Sequence, residues 1–227
     1  VIDITSIMGN TFNINMSVQS MSEEVLKNIN RSNIKLDDYI AINDHLKDLG
    51  RPGFGELILG LPGETKASFL KGLMQVIEAG VSATTVYTLM LLHGTDFQKP
   101  SYREKFKIKG KFRIVPLNFG SYDGKKVFDY EEVAIQTKDM SFDDYKQLRG
   151  LSLIVETIHN GRPFEEFFRF ALTFGISRSR FILYIFNSIK NSGSKILSIF
   201  NDFLRETETE LWENENDMIK FYTNEKN

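Results

Sequence analysis

The chain has 227 residues, 41% of them hydrophobic and 26% charged, with a formal net charge of −2. That length holds one large domain or two small ones with a real core, and the near-neutral balance excludes a strongly basic nucleic-acid binder as a description of the whole chain. No apolar run approaches the roughly 18 residues that a membrane-spanning helix needs, so no membrane partner is expected.

Cysteine is absent. Disulfides, thiolate nucleophiles and Cys-ligated zinc or iron–sulfur clusters are therefore excluded for this chain. His45, His93 and His159 are far apart and lack HxxH or HExxH spacing, which argues against an intrinsic transition-metal site. Val1-Ile2-Asp3-Ile4-Thr5 carries neither an initiator Met nor a basic segment ahead of an apolar one. It reads as the cut end of a longer chain rather than as a signal peptide, and a cytoplasmic setting is expected.

The habit of the sequence changes near residue 97. Phe12, Phe54 and Phe69 precede that point, and the other 16 of the 19 phenylalanines follow from Phe97 onward. The expectation is two packed subdomains, 1–97 and 98–227.

In the first, Asn13–Gln19 alternates Ile14, Met16 and Val18 with polar residues, a strand period. Ser20-Met21-Ser22-Glu23 fits a capping box ahead of a short helix bearing Val25, Leu26 and Ile29. Asp37–Leu49 has helical spacing and stops at Gly50. Phe54–Leu59 is a compact apolar strand, ended by Gly60-Leu61-Pro62-Gly63. Thr65 can cap the next helix, which runs to about Ala79, and Ala83–Leu92 has the β-branched content of a buried strand. Strands alternating with helices across short connections imply parallel strands with right-handed crossovers. The fold class expected is α/β, a partial parallel (β/α) barrel of TIM type followed by a mixed, mostly helical subdomain. A partial barrel exposes a strand edge, so self-association, or coverage of the edge by Val1–Met8, is expected.

In the second, Lys105–Arg113 alternates cations with apolar residues or Gly and reads as an extended cationic ribbon. Asp123-Gly124 marks a turn, and Val127–Thr137 reads as another strand pair. Ser141 caps a helix, with further helices at Pro163–Phe174, Ser177–Lys190 and Lys195–Glu210. Phe164, Phe167, Phe168, Phe170 and Phe174 have helical spacing and read as core. The acidic stretch from Glu206 to Asp217 reads as a solvated terminal helix docked by Leu211 and Trp212.

Three side chains invite a ligand. Strand parity puts Glu56 on one face with Phe54 and Ile58, where a carboxylate is costly unless partnered. Gln19 ends a strand, where ligand-binding groups of parallel α/β folds sit. Arg31 follows a short helix and offers a guanidinium suited to a carboxylate. Each also has a plain reading: an exposed strand start for Glu56, local backbone bonding for Gln19, a solvated helix end for Arg31.

Taken in order, Ser17-Val18-Gln19-Ser20-Met21, Arg31-Ser32, the run from Glu56 to Thr65 (ELILGLPGET) and the run from Tyr87 to Thr95 (YTLMLLHGT) resemble the later half of a radical S-adenosylmethionine barrel. The resemblance is to the branch in which a cobalamin-binding domain precedes the barrel, with an echo of the oxygen-independent coproporphyrinogen oxidase-like branch. It implies that Gln19 lies near the cofactor's methionine and ribose, Arg31 binds the methionyl carboxylate, and Glu56 accepts from ribose hydroxyls. Ile58 would contact adenine, with backbone of Thr88, Leu89 and Met90 beside its edge.

The cysteines of the family's cluster loop, spaced CxxxCxxC, have no counterpart here. A [4Fe–4S] cluster would then belong to the parent enzyme, with cobalamin a further possible cofactor there. The chain would be a cofactor-contacting C-terminal fragment, inactive alone, working on an unknown substrate beside the N-terminal part of the same enzyme. Two other readings stay open: a non-catalytic α/β module for another small ligand, and an RNA-contacting module built on Lys105–Arg113. The second is disfavoured, because alternating Lys and apolar residues usually mark a solvated strand face.

Overall fold

Strand β1 (Ile14–Gln19), helix α1 (Glu23–Asn28), helix α2 (Leu36–Asp48), strand β2 (Gly53–Leu59), helix α3 (Lys66–Glu78) and strand β3 (Ala83–Thr88) follow one another in the computed structural model, which describes Ile7 and residues 14–224. The strands form a parallel sheet in the order β1-β2-β3, with Ser17 beside Glu56 and Glu56 beside Thr85. Each pair of neighbours is joined through a helical crossover, the connection that parallel pairing demands. Val1–Met8, expected to cover the β1 edge, lies outside the described residues apart from Ile7.

Burial along β2 alternates strictly. Leu57 and Leu59 are buried in a core with Tyr39 of α2 and with Phe69, Leu73 and Val76 of α3, whereas Phe54, Glu56 and Ile58 face the half-open side. Burying such a leucine is worth about 1.5–3 kcal/mol. The expected Thr65 cap is present: its side chain accepts from the Ser68 amide in a reciprocal capping box.

The expected Ser20 capping box is not. The N-cap of α1 is Ser22, without a side-chain cap bond. The Ser20 hydroxyl is instead donated to the Glu64 carboxylate, a tertiary partner that local sequence does not announce.

Beyond β3 come a single 3₁₀ turn at Asp96–Gln98 and helix α4 (Pro100–Phe106). A long antiparallel ribbon follows, β4 (Lys109–Tyr122) against β5 (Lys125–Gln136), turned at Asp123-Gly124. The extended cationic ribbon expected over Lys105–Arg113 is thus broken. Pro100 at the start of a helix favours helical backbone through Phe106, and Lys107 closes it in the left-handed region at φ 49°. Of its cations, Lys111 pairs with Glu213 and Arg113 with Glu131 and Glu210.

Helix α5 (Phe142–Ile154) runs into a π-helical turn at Val155–Asn160. Then come α6 (Glu165–Leu172), α7 (Arg178–Ser188), α8 (Ser194–Thr209) and α9 (Glu215–Thr223). The acidic stretch is therefore two helices rather than one. Between them Trp212 exchanges backbone bonds with Phe112 of β4, each at 2.8 Å.

The core is shared along the chain: Leu57 and Leu73 belong to the same cluster as Val133 of β5, Leu148 and Leu151 of α5 and Ile182 of α7. The edge of β3 is closed by this second part. Asn160 donates to the Thr84 carbonyl at 3.0 Å and accepts from the Thr84 amide at 2.8 Å, as a neighbouring strand would.

The phenylalanine expectation is corrected. Phe168 is buried, but Phe164, Phe167, Phe170 and Phe174 are exposed, Phe174 by 69%. Phe170 and Phe174 meet ring to ring at 5.0 Å and Phe167 meets Phe168 and Phe181, because α6 lies on the outside of the helical layer with Phe168 and Ala171 as its buried contacts.

Among the described residues, no helix is long and apolar enough to cross a membrane, and no group of three or more His, Asp or Glu side chains is placed to hold a metal ion.

Candidate functional site

The carboxyl ends of β1 and β2 open onto a cavity of about 260 Å³. Its floor is apolar, from Ile58, Leu61 and Leu89, and its rim is polar, from Gln19, Asn28, Asn30, Arg31, Thr95 and Asp96. Phe97 and Tyr102 supply an aromatic wall, their rings packed edge to face at 5.7 Å. The Tyr102 hydroxyl donates to the Asn28 carbonyl at 2.7 Å, tying α4 to the end of α1.

The sequence places these groups for local reasons. Gln19 follows the last regular pair of β1, and a register shift between Ser17 and Gln19 turns the chain. Gln19 adopts φ 51°, uncommon for a residue with a Cβ and held only where surroundings enforce it. Arg31 lies just past α1 and makes no salt bridge among the described residues, which leaves its guanidinium available to an anion. Gly60, at φ 94°, lets the chain leave β2 where an added Cβ would sit 3.2 Å from the Ala134 carbonyl.

Four of the seven expected site residues, Gln19, Arg31, Ile58 and Leu89, therefore line one cavity. Glu56 does not line it. It lies one pleat below Ile58 on the same half-open face and accepts a hydrogen bond from Ser17 on the neighbouring strand. Thr88 is buried and away from the rim. Met90 is 42% exposed. Next to it the backbone of β5 takes the Leu89 carbonyl (2.9 Å) and the Leu91 amide (2.8 Å), and no backbone bond of the described residues uses the Met90 amide or carbonyl. His93, in the loop after β3, is exposed and not part of the lining.

Asp96, Phe97 and Tyr102 were missed by sequence reasoning. Pro100 signals only that a helix starts there; nothing local announces that Asp96–Tyr102 folds back over the strand ends.

Close behind the cavity lies Glu64, 1% exposed. Both of its oxygens accept hydroxyls, from Ser20 and Ser68. Burial pushes its carboxyl up from the ordinary value, while these two hydrogen bonds pull it back.

No protein-family model matches the chain. Over 165 residues it is 30% identical to the cobalamin-dependent radical SAM methyltransferase TokK of Streptomyces tokunonensis, covering 70% of this chain and 23% of that protein. Over 166 residues it is 30% identical to the 2-(S-pantetheinyl)-carbapenam-3-carboxylate methyltransferase of Streptantibioticus cattleyicolor, with the same 70% and 23% coverage. The match thus spans about a quarter of the length of these curated relatives. Among solved structures, coproporphyrinogen III oxidase from Escherichia coli, a radical SAM enzyme, is similar at 28% identity and a TM-score of 0.35, over 38% of this chain and 20% of that one. A likeness so local carries no argument about architecture.

Proposed function

This chain is a homologue of cobalamin-dependent radical S-adenosylmethionine methyltransferases, and we propose that its cavity at the strand ends is the part of such an enzyme that grips S-adenosylmethionine. The observation that carries the reading is the meeting of Gln19, Arg31, Ile58 and Leu89 in one cavity. Residues this far apart in sequence have no local reason to converge.

The residues present fit the cofactor. Arg31, without an ion pair among the described residues, suits the methionyl carboxylate, and the Gln19 amide can both donate and accept beside it. Ile58 and Leu89 offer an apolar floor for adenine, and the unused amide and carbonyl of Met90 suit its polar edge. At about 260 Å³ the cavity falls just under the ~300–1,000 Å³ typical of small-molecule pockets. A ligand of this size would extend over the adjoining face, where Glu56 would accept from ribose hydroxyls. Bound S-adenosylmethionine supplies a reactive sulfonium. The protein groups bind it, orient it and shield its adenine from water.

A [4Fe–4S] cluster does not fit this chain, which has no cysteine to ligate it. In the proposal that cluster is held elsewhere in the parent enzyme, with cobalamin a further cofactor there, in an anaerobic cytoplasmic setting. Residues 1–97 would form part of a (β/α) barrel and 98–227 a mixed, mostly helical subdomain. The N-terminal part of the same enzyme is the partner, and the substrate is open.

Calorimetric titration with S-adenosylmethionine tests this. Losing a hydrogen bond to a charged partner costs roughly 1.5–3 kcal/mol, about one to two decades of affinity. Arg31→Ala and Glu56→Ala should each weaken binding by that much, and Lys107→Ala, outside the cavity, should not. Unchanged affinity in both variants, with RNA binding lowered by Lys107→Ala, would replace the cofactor reading with the nucleic-acid one.

A further inference from the structure

A carboxylate as buried as Glu64 is costly unless its oxygens are satisfied, and among the described residues its side chain bonds Ser20 and Ser68 rather than a group of the cavity rim. Its partners explain its place. Ser20, which donates to one oxygen, immediately follows Gln19. The same Ser20 accepts twice more: its hydroxyl from the Ser22 amide at 3.1 Å, and its carbonyl from the Asn33 side chain at 2.7 Å. Asn33 is two residues past Arg31. Asn28, on the cavity rim, donates to the carbonyl of Pro62, two residues before Glu64, at 3.1 Å. The β1 end, the loop carrying Arg31 and the turn between β2 and α3 are thereby stitched together around one buried carboxylate.

We propose that Glu64 is a positioning residue: through Ser20 it holds Gln19 in the left-handed conformation, and through Asn33 on that same Ser20 it fixes the loop that presents Arg31. The inference rests on the cavity being the S-adenosylmethionine site. Its geometric part, the holding of Gln19 and Arg31, stands apart from the ligand's identity. Ser68, donor to the other oxygen, sits in the first turn of α3 and is not part of the cavity lining, so Glu64 has one arm toward the site and one toward α3.

That asymmetry gives the test. Ser20→Ala and Ser68→Ala each remove one hydroxyl donor from Glu64, and each also removes an acceptor of its own, for the Ser22 amide and the Thr65 amide respectively. A role through Glu64 is therefore read as the part of the Ser20→Ala effect that disappears in a Glu64→Gln background. Two quantities are measured on the full chain: affinity for S-adenosylmethionine, and amide hydrogen exchange across residues 19–33, which includes the Arg31 amide bonded to the Leu26 carbonyl at 2.9 Å. Ser20→Ala should lower affinity about tenfold and speed exchange in that segment, while Ser68→Ala leaves both at the wild-type level. Equal effects of the two variants, or wild-type affinity and exchange in Ser20→Ala, would overturn the positioning role. If the wild-type chain binds no S-adenosylmethionine, the cofactor reading fails alone. Faster exchange in Ser20→Ala than in Ser68→Ala, lost in the Glu64→Gln background, would still establish Glu64 as the anchor, and a Ser20→Ala effect that persists in that background would remove it.

Discussion

Strand β2 (GFGELIL) and helix α6 (EEFFRFAL) are comparably apolar in sequence, and the fold treats them in opposite ways. β2 is the central strand of its sheet, paired on both sides, with Leu57 and Leu59 packed against α2 and α3. α6 buries Phe168 and Ala171 and leaves Phe167 and Phe170 exposed, with Phe167 leaning on Phe181 at 5.0 Å. Apolar periodicity says which side chains share a face. It does not say that anything covers that face.

The comparison breaks most sharply under truncation. Leu59→Ala, at a fully buried position, should cost about 2–5 kcal/mol, read as a lowered urea midpoint. Phe170→Ala, at a residue 62% exposed, should change stability by less than about 0.5 kcal/mol. A large loss at Phe170 would mean that the α6 face is covered in solution.

A second prediction concerns the seam between the two regions. His159, in the π-helical turn beside β3, is buried, and that burial, with Arg178 and Arg162 nearby, lowers its pKa to about 4, against a weaker upward pull from Glu165. Arg178 approaches its Nδ1 at 3.4 Å and is itself paired with Glu165. The unfolded chain therefore takes up the proton first. The stability conferred by neutral His159 is fully present above about pH 6.5 and is lost as pH falls toward 4, by up to roughly 3 kcal/mol. The difference between wild type and His159→Gln, followed by thermal melts from pH 7 to 4, should shrink by that amount.

Helix caps give the smallest contrast. Thr65→Ala removes a reciprocal capping box and should cost about 1 kcal/mol. Ser22→Ala, at the N-cap of α1 whose side chain makes no cap bond, should cost at most a few tenths. Matching losses in paired urea titrations would erase the distinction.

What the sequence disclosed follows the same division. Most strands and helices from Ile14 to Thr88 were legible where period, cap and turn residues agree, as at Thr65. The strand expected over Ala83–Leu92, however, ends at Thr88, the Leu89 carbonyl and Leu91 amide turning to β5. Ser20 misled because its best acceptor, Glu64, is 44 residues away, and a capping motif competes with any such tertiary partner. The Lys105–Arg113 alternation misled because Pro100 had already started a helix. At the candidate site, Gln19 and Arg31 were readable from their chemistry and order. Phe97 and Tyr102 were not, since a helix folding back over the strand ends is a tertiary event.

The most direct test of the central claim is nuclear magnetic resonance of the labelled chain during titration with S-adenosylmethionine. The account predicts shift changes clustered at Gln19, Arg31, Ile58, Leu89, Met90 and Phe97, with Phe167 and Phe170 unmoved. Changes centred on the exposed aromatic face of α6, or none at millimolar cofactor, would contradict it.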